Sequence, residues 1–452
     1  MSTIGFFKEI SKIPRGSGNE QKIADYICNF AKERNLEFIH DKYNNVIIKK
    51  YVNNEEPIIL QAHLDMVLEK ENDYEFAFLN DGIDLIFTNE YIAANNTTLG
   101  ADNGIGVAQI LNILDSDIDK NIEAIFTTNE ETSMIGAEKI DLSSLKGKTM
   151  INLDGFNSDT ILLGSAGFTD IDIITNYSFE EEKSNFYKLS LTGLEGGHSG
   201  FDIDKNRGNS IKLLIEFLLL ISDIKIASFN GGSKINVIPT DSEVVFSTNI
   251  NIDDLLDKYL KEKKKIYKNL DITKEIINDE KKCLSNSESL EFISSINNLK
   301  SGVINKNKRE EVTTSSNLAL IDLSNNLIQI GLRSSIDSEE EKEINYLKDY
   351  SNEYGYKFII RGHQPGFTTD ENSTLVKKMK EAYYRVNNKY PRLESLHIAV
   401  EVGLIKEKIK DLNVVIISPN ISGAHSTKEK VEISSIESCD RWLFEYLTNK
   451  EI

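Results

Sequence analysis

Pro57-Ile58-Ile59-Leu60-Gln61-Ala62-His63-Leu64-Asp65 joins a continuous apolar run to a histidine and an acid. Aliphatic residues without polar alternation read as a strand buried on both faces, as in a parallel sheet. His63 and Asp65 then stand at its carboxyl end. Two further runs repeat the arrangement. Ile122–Thr128 leads into Asn129-Glu130-Glu131, and Thr149-Met150-Ile151-Asn152-Leu153 runs into Asp154. Helical patterns lie between and around them, as in 20–34, where Ile23, Tyr26, Ile27, Phe30 and Ala31 recur at helical spacing. Strands alternating with helices predict a layered α/β domain with a mixed, mostly parallel sheet. Ligands in such sheets bind outside the carboxyl ends of the strands. His63, Asp65, Glu130, Glu131 and Asp154 all fall there.

Two further stretches add to this set. Leu99-Gly100-Ala101-Asp102-Asn103-Gly104-Ile105-Gly106-Val107 places Asp102 in a glycine-rich turn that opens into a helical run. Taken alone, such an acid reads as a helix cap. Near the end of the chain, Asn413–Ile417 is another buried strand, and the loop 418–430 after it carries His425.

Between these halves the pattern changes. Residues 186–365 mix strand-like and helical segments without a regular parallel alternation, which predicts an inserted α+β domain. The first domain is then discontinuous, built from 1–185 and 366–452. The Lys/Glu/Asn-rich stretch 261–286 reads as solvated surface.

Composition bounds the function. The chain has 452 residues and a formal net charge of −20, which argues against nucleic acid and anionic membrane as partners. Cys28, Cys283 and Cys439 are scattered without CxxC spacing, which fits free thiols in a reducing compartment. The first residues lack the basic and apolar regions of a signal peptide, and no segment reaches a membrane-spanning length. The expected location is the cytoplasm.

His63, Asp102, Glu131, Asp154 and His425 offer two imidazoles and three carboxylates. That set suits two divalent cations, with Asp102 as the natural bridge. One cation would take His63 and Asp154, the other Glu131 and His425. Zinc is the first expectation, and the same donors admit manganese or cobalt. Such a pair can polarise a carbonyl and lower the pKa of water. Asp65 suits a carboxylate that orients a ligand. Glu130 and Glu131 would point in different directions on an extended backbone, so one can bind metal while the other serves as general base.

His63-Leu64-Asp65-Met66-Val67, Gly100-Ala101-Asp102-Asn103-Gly104-Ile105-Gly106, Asn129-Glu130-Glu131-Thr132, Asn152-Leu153-Asp154, Gly196-Gly197-His198-Ser199-Gly200 and Ala424-His425-Ser426 occur in this order. With the opening Phe7–Gly18, they resemble metallopeptidase family M20 over nearly the whole chain, specifically its aminoacyl-histidine dipeptidase branch. The resemblance implies that Asp102 bridges two metals held by His63, Glu131, Asp154 and His425. It implies Glu130 as general base and Asp65 as the supporting acid. The insert matches the family's lid domain, with His198 binding substrate or stabilising the oxyanion. Asn236 resembles an asparagine near the substrate, and Arg333 resembles an arginine that grips the substrate's terminal carboxylate.

His397-Ile398-Ala399-Val400-Glu401-Val402-Gly403 departs from the pattern, because Ala399 replaces a glycine that lies near substrate in the family. The added methyl bears on substrate preference, and Glu401 beside it is a candidate support of the site. The loop opening Ser418-Pro419 also departs from the common Gly-Pro start. His40 and His363 read as surface residues and His397 as structural. The implied activity is hydrolysis of dipeptides, Xaa-His and beta-Ala-His among them. Its rivals are a tripeptidase or N-acyl amino acid deacylase of the same fold, and a non-catalytic peptide-binding protein. The expected partner is a small peptide. A homodimer, in which His198 acts within one chain or across two, stays open.

Overall fold

A computed structural model describes residues 1–449. The chain forms two compact units, each with its own core. The first comprises Met1–Gly164, Phe367–Ser395 and Val400–Ile452, and the second Ser165–Gly366 with Leu396–Ala399.

The sheet of the first unit runs in the order Glu37–His40, Val46–Lys50, Ile122–Thr127, Ile58–His63, Thr149–Asn152, Asn413–Ile416, Thr160–Ser165 and Phe367–Thr368. Its centre is parallel: Ile58 pairs with Ile122 on one side and Thr149 on the other, and Thr149 pairs with Asn413. The outer pairings are antiparallel, so the sheet is mixed. Every residue of Ile58–His63 and Ile122–Thr127 is buried. Successive side chains point to opposite faces, so both faces are covered. Phe6, Phe7 and Ile10 of helix Thr3–Ile10, Ile23, Ile27 and Phe30 of Gln21–Glu33, and Trp442 and Leu443 of Ile433–Thr448 join the strands in one core.

The second unit is an antiparallel sheet carrying helices, an α+β arrangement. Its strand order is Asp271–Cys283, Glu180–Thr192, Ser242–Ser247, Lys225–Gly232, Val312–Asp322, Leu327–Ser334, Gly167–Ile174 and Lys357–Gln364. Helices Ser210–Leu218, Asn286–Asn298 and Asp337–Glu353 bury their apolar faces in its core.

One boundary differs from the sequence expectation, and one charged stretch gains a strand. The first unit ends at Gly164 rather than at 185, because Gly167–Ile174 is a strand of the second sheet, paired with both Leu327–Ser334 and Lys357–Gln364. Its residues alternate strictly between buried and half-buried, the period-2 signature of a strand. Within 261–286, Asp271–Cys283 is a strand paired along its length with Glu180–Thr192. It lies at the sheet edge and is exposed at most described positions, so the stretch is solvated surface as expected, carried on a strand. Among the described residues no helix is long and apolar enough to cross a membrane. Cys28, Cys283 and Cys439 are all free and buried.

Candidate metal centre

Parallel strands bring their carboxyl ends to one edge of the first unit's sheet. His63 is the last residue of its strand and pairs with Thr127, and Gln61 pairs with Asn152. Glu130, Glu131 and Asp154 follow directly.

Asp102 stands at the middle of the cluster. Its helix, Ala101–Asp115, begins after Gly100 at φ 68, a left-handed conformation that glycine adopts without strain. Asp102 and Asn103 are non-helical, and the N-cap position is Gly100, which has no side chain to cap the helix. Asp102 is therefore not an ordinary cap. Its Oδ1 lies 3.1 Å from His63 Nε2, and its Oδ2 lies 3.2 Å from His425 Nε2. Each imidazole also meets a further carboxylate. His63 Nε2 is 3.8 Å from Asp154 Oδ1, and His425 Nε2 is 2.9 Å from Glu131 Oε2. His425 has a positive φ of 61, a conformation uncommon outside glycine.

Donor atoms of His63, Asp102 and Glu131 lie within 4.8 Å of one another, as do those of His63, Glu130 and Asp154. Glu130 thus shares the neighbourhood of the His63–Asp154 pair. Glu130 and Glu131 lie on a turn, not on extended backbone. Asn129, at φ 56, starts it. The turn directs both backbone N–H groups at Asp65, which accepts from Glu130 at 3.1 Å and from Glu131 at 3.2 Å. Ser17 Oγ donates to the same carboxylate at 2.8 Å, and His63 Nδ1 lies 3.4 Å away, long for a hydrogen bond.

The electrostatics fit cations. Burial disfavours the His63 imidazolium, but Asp154, Asp102 and Asp65 outweigh it and hold its pKa well above the ordinary value. Hydrogen bonds to Asp102 and Glu131 push His425 up to about 10. Burial raises Glu130 and Asp154 well above the usual carboxylate range, with neighbouring carboxylates adding to the effect. Glu131 Oε1 is buried and without a hydrogen-bond partner. Two imidazoles and several carboxylates converge here, and they demand positive charge. These residues fit a pair of divalent ions.

Beneath this layer, Glu401 is fully buried. Its Oε1 accepts from Thr127 Oγ1 at 2.8 Å and from Gln61 Nε2. Asn152 Nδ2 donates in turn to Gln61 Oε1. Asn103 Nδ2 reaches Asp154 Oδ1 at 3.2 Å and the Leu153 carbonyl at 2.8 Å. Gln61, Asn103, Arg15 and Glu429 are further buried groups at the site that were not among the sequence candidates. Three of them stand in quoted stretches: Arg15 as a charge inside a Pro/Gly loop, Gln61 as an amide within an apolar strand, and Asn103 next to Asp102.

The remaining candidates gather in the second unit around Ser199. The Ser199 N–H donates to the Asn236 carbonyl at 2.8 Å, and Arg333 Nε donates to Ser199 Oγ at 3.2 Å. Arg333 is 4% exposed and lies 4.5 Å from the centre of the Phe168 ring. Desolvation lowers it to about 10, so it stays charged at neutral pH. His198 Nδ1 accepts the Gly200 N–H at 3.1 Å, which leaves the proton of the neutral ring on Nε2. Burial and the Arg333 charge lower the His198 pKa and favour that neutral form. Ala399 belongs to the short segment Leu396–Ala399 of the same unit. His397 Nε2 lies 2.7 Å from Ser315 Oγ. His40 is exposed, and His363 is 40% exposed beside Glu340.

Residues 59–449 match the model of Peptidase family M20/M25/M40. The chain belongs to the M20 peptidase family. It is 33% identical to the cytosol non-specific dipeptidase of Escherichia coli K12 over 95% of this chain and 93% of that one. Its fold superposes on the crystal structure of aminoacylhistidine dipeptidase from Vibrio alginolyticus with a TM-score of 0.91 at 30% identity, covering 98% of this chain and 96% of that one. A tripeptidase from Staphylococcus aureus shares the fold at 15% identity and a TM-score of 0.56, with 99% and 97% of the two chains covered. The M20 protein is thus a peptide-bond hydrolase with a mixed α/β fold.

Proposed function

We propose that this M20 peptidase is a dinuclear-metal dipeptidase that accepts Xaa-His peptides, beta-Ala-His included, among a broader set. The observation that supports it most is Asp102, whose two oxygens each face a different imidazole, each imidazole meeting its own further carboxylate. Similarity to two dipeptidases along nearly the full chain supports the substrate class.

His63, Asp102 and Asp154 would hold one ion, and Asp102, Glu131 and His425 the other, with zinc first and manganese or cobalt as alternatives. When bound, the ions supply Lewis acidity that polarises the scissile carbonyl and eases deprotonation of water. Glu130 takes a proton from the attacking water and delivers it to the leaving amine. His198 Nε2–H donates to the oxyanion, for which its neutral tautomer is already set. The Arg333 fork receives the substrate's C-terminal carboxylate with two parallel hydrogen bonds. Asn236 lines the same patch. Asp65 orients His63 and the Glu130–Glu131 turn, Glu401 supports the layer beneath, and Ala399 narrows the space for the substrate side chain. The peptide is the partner. A homodimer is the second expectation, tested by sedimentation of the 51.1 kDa chain.

The test is a hydrolysis screen of metal-reconstituted protein against Xaa-His dipeptides, other dipeptides, tripeptides and N-acyl amino acids, with and without chelator. Chelator-sensitive cleavage confined to dipeptides supports the proposal, and the Xaa-His rates show whether histidine is required. Cleavage of only tripeptides or N-acyl amino acids assigns another amidohydrolase. Bound metal without any cleavage overturns the enzyme reading in favour of peptide binding.

A further inference from the structure

Arg15 and Glu429 have no role in the chemistry above, yet each is only 2% exposed. Ionisable side chains are rarely buried to this extent unless their polar groups are met. Here they are met by main chain. Arg15 Nη1 donates to the carbonyls of Leu64 at 2.9 Å and Asp65 at 3.0 Å, and its Nη2 donates to the carbonyl of Gly100. Glu429 Oε2 accepts the N–H of Leu99 and of Gly100, both at 2.8 Å, and its Oε1 accepts the N–H of Asp102 at 3.1 Å.

Gly100 is therefore gripped from both sides, its N–H by the carboxylate and its C=O by the guanidinium. Glu429 holds the Asp102 turn through three main-chain donors, the N–H groups of Leu99, Gly100 and Asp102. Arg15 spans from that turn to the loop that carries His63 and Asp65. The turn is fitted closely to this grip. A Cβ added at Gly100 or at Gly104 would lie 2.5 Å from Arg15 Nη2. A planar guanidinium with five fixed donors can serve carbonyls on two separate loops at once. A lysine ammonium, with all its donors at one point, cannot hold both loops in the same way.

We propose that Arg15 and Glu429 are positioning residues for the metal pair, fixing the Asp102 turn against the His63–Asp65 loop. The inference rests on Asp102 as the bridging ligand. Releasing either grip lets the turn drift, so that the two Asp102 oxygens no longer face both imidazoles. Supporting groups of this kind commonly govern metal affinity about 10–100-fold. Neither residue touches substrate, so the effect falls on metal affinity and kcat and leaves KM nearly constant.

The experiment compares wild type with R15K, E429Q and D102N. Cobalt binding is followed by its visible absorption, with dipeptide kinetics at saturating metal and circular dichroism melts of the metal-free proteins. R15K keeps the charge, so it decides the matter if E429Q does not fold. The expected result is cobalt affinity at least about 10-fold weaker in R15K and E429Q, with lower kcat and KM within about twofold. Folded variants with wild-type cobalt affinity and kcat, in a series where D102N loses cobalt, overturn the proposal. So does a lowered melting temperature at unchanged cobalt affinity, which marks a merely structural role. Full cobalt affinity in D102N removes the bridging assignment itself, and the proposal with it.

Discussion

Replacing Asp65 by Asn removes one charge from the site while leaving every metal-ligand candidate in place. The Asp65 carboxylate accepts the Glu130 N–H on Oδ1 at 3.1 Å, and on Oδ2 the Glu131 N–H at 3.2 Å and the Ser17 hydroxyl at 2.8 Å. An amide offers one oxygen and one NH2 group. Whichever way Asn is turned, one of the two backbone N–H groups faces another donor. A buried donor left without an acceptor destabilises by about 1–3 kcal/mol. That loss appears in the metal-free protein. A second loss appears only with metal. His63 Nδ1, 3.4 Å from Asp65 Oδ1, no longer faces a carboxylate that orients the ring. Such orienting groups are worth about 10–100-fold in metal affinity, or about 1.4–2.8 kcal/mol. The metal-saturated protein should therefore lose about 2–6 kcal/mol in all. Urea unfolding of metal-free and metal-saturated protein reads the two losses separately, and competition with a chromogenic chelator reads the affinity directly. Equal destabilisation of both forms, with wild-type metal affinity, would refute the reasoning.

Glu130→Gln should lower turnover about 10²–10⁴-fold, the range for a general base, with metal content by elemental analysis unchanged; loss of metal would make Glu130 a ligand. Arg333→Met should raise KM for free dipeptides about 10–100-fold, since hydrogen bonds to charged groups are worth about 1.5–3 kcal/mol, while a dipeptide amide should barely respond. Burial and the Arg333 charge push His397 down from 6.5 to about 3. The folded chain therefore holds the ring neutral while the unfolded chain takes up a proton below pH 6.5. Its stability contribution is full above that pH and is lost as the pH falls toward 3. His397→Gln should flatten the fall in urea midpoint across this window.

The parallel core was legible because it depends on local pattern. Ile58–His63 and Ile122–Thr127 are apolar runs buried throughout, and the ionisable residues after them mark the edge at which a ligand binds. Gly167–Ile174 was overlooked although its alternation is regular, because Asp170 and Asp172 interrupt the apolar signal that identified the other strands. The Lys-rich strand Asp271–Cys283 was hidden for a different reason. Its partner Glu180–Thr192 lies far away in sequence, and a solvated edge strand carries no apolar signature. At the site, the residues with chemical side chains stood out, whereas Gln61, Arg15 and Glu429 did not. Arg15 and Glu429 act on main chain, and Gln61 on the side chains of Thr127, Asn152 and Glu401, across long sequence separations that no local spacing encodes.

The order of the sheet also bears on how the protein is made. Asn413–Ile416 lies between Thr149–Asn152 and Thr160–Ser165, two strands that precede it by some hundreds of residues. During synthesis the second unit's principal stretch, Ser165–Gly366, emerges whole and can close its core while the first unit still lacks a central strand. His425 emerges later still. A nascent or prematurely stopped chain that has not reached it lacks one of the two imidazoles at Asp102. The carboxylates around Asp102 are therefore in place before their second imidazole, and the cluster closes only when the loop after Asn413–Ile416 has been added.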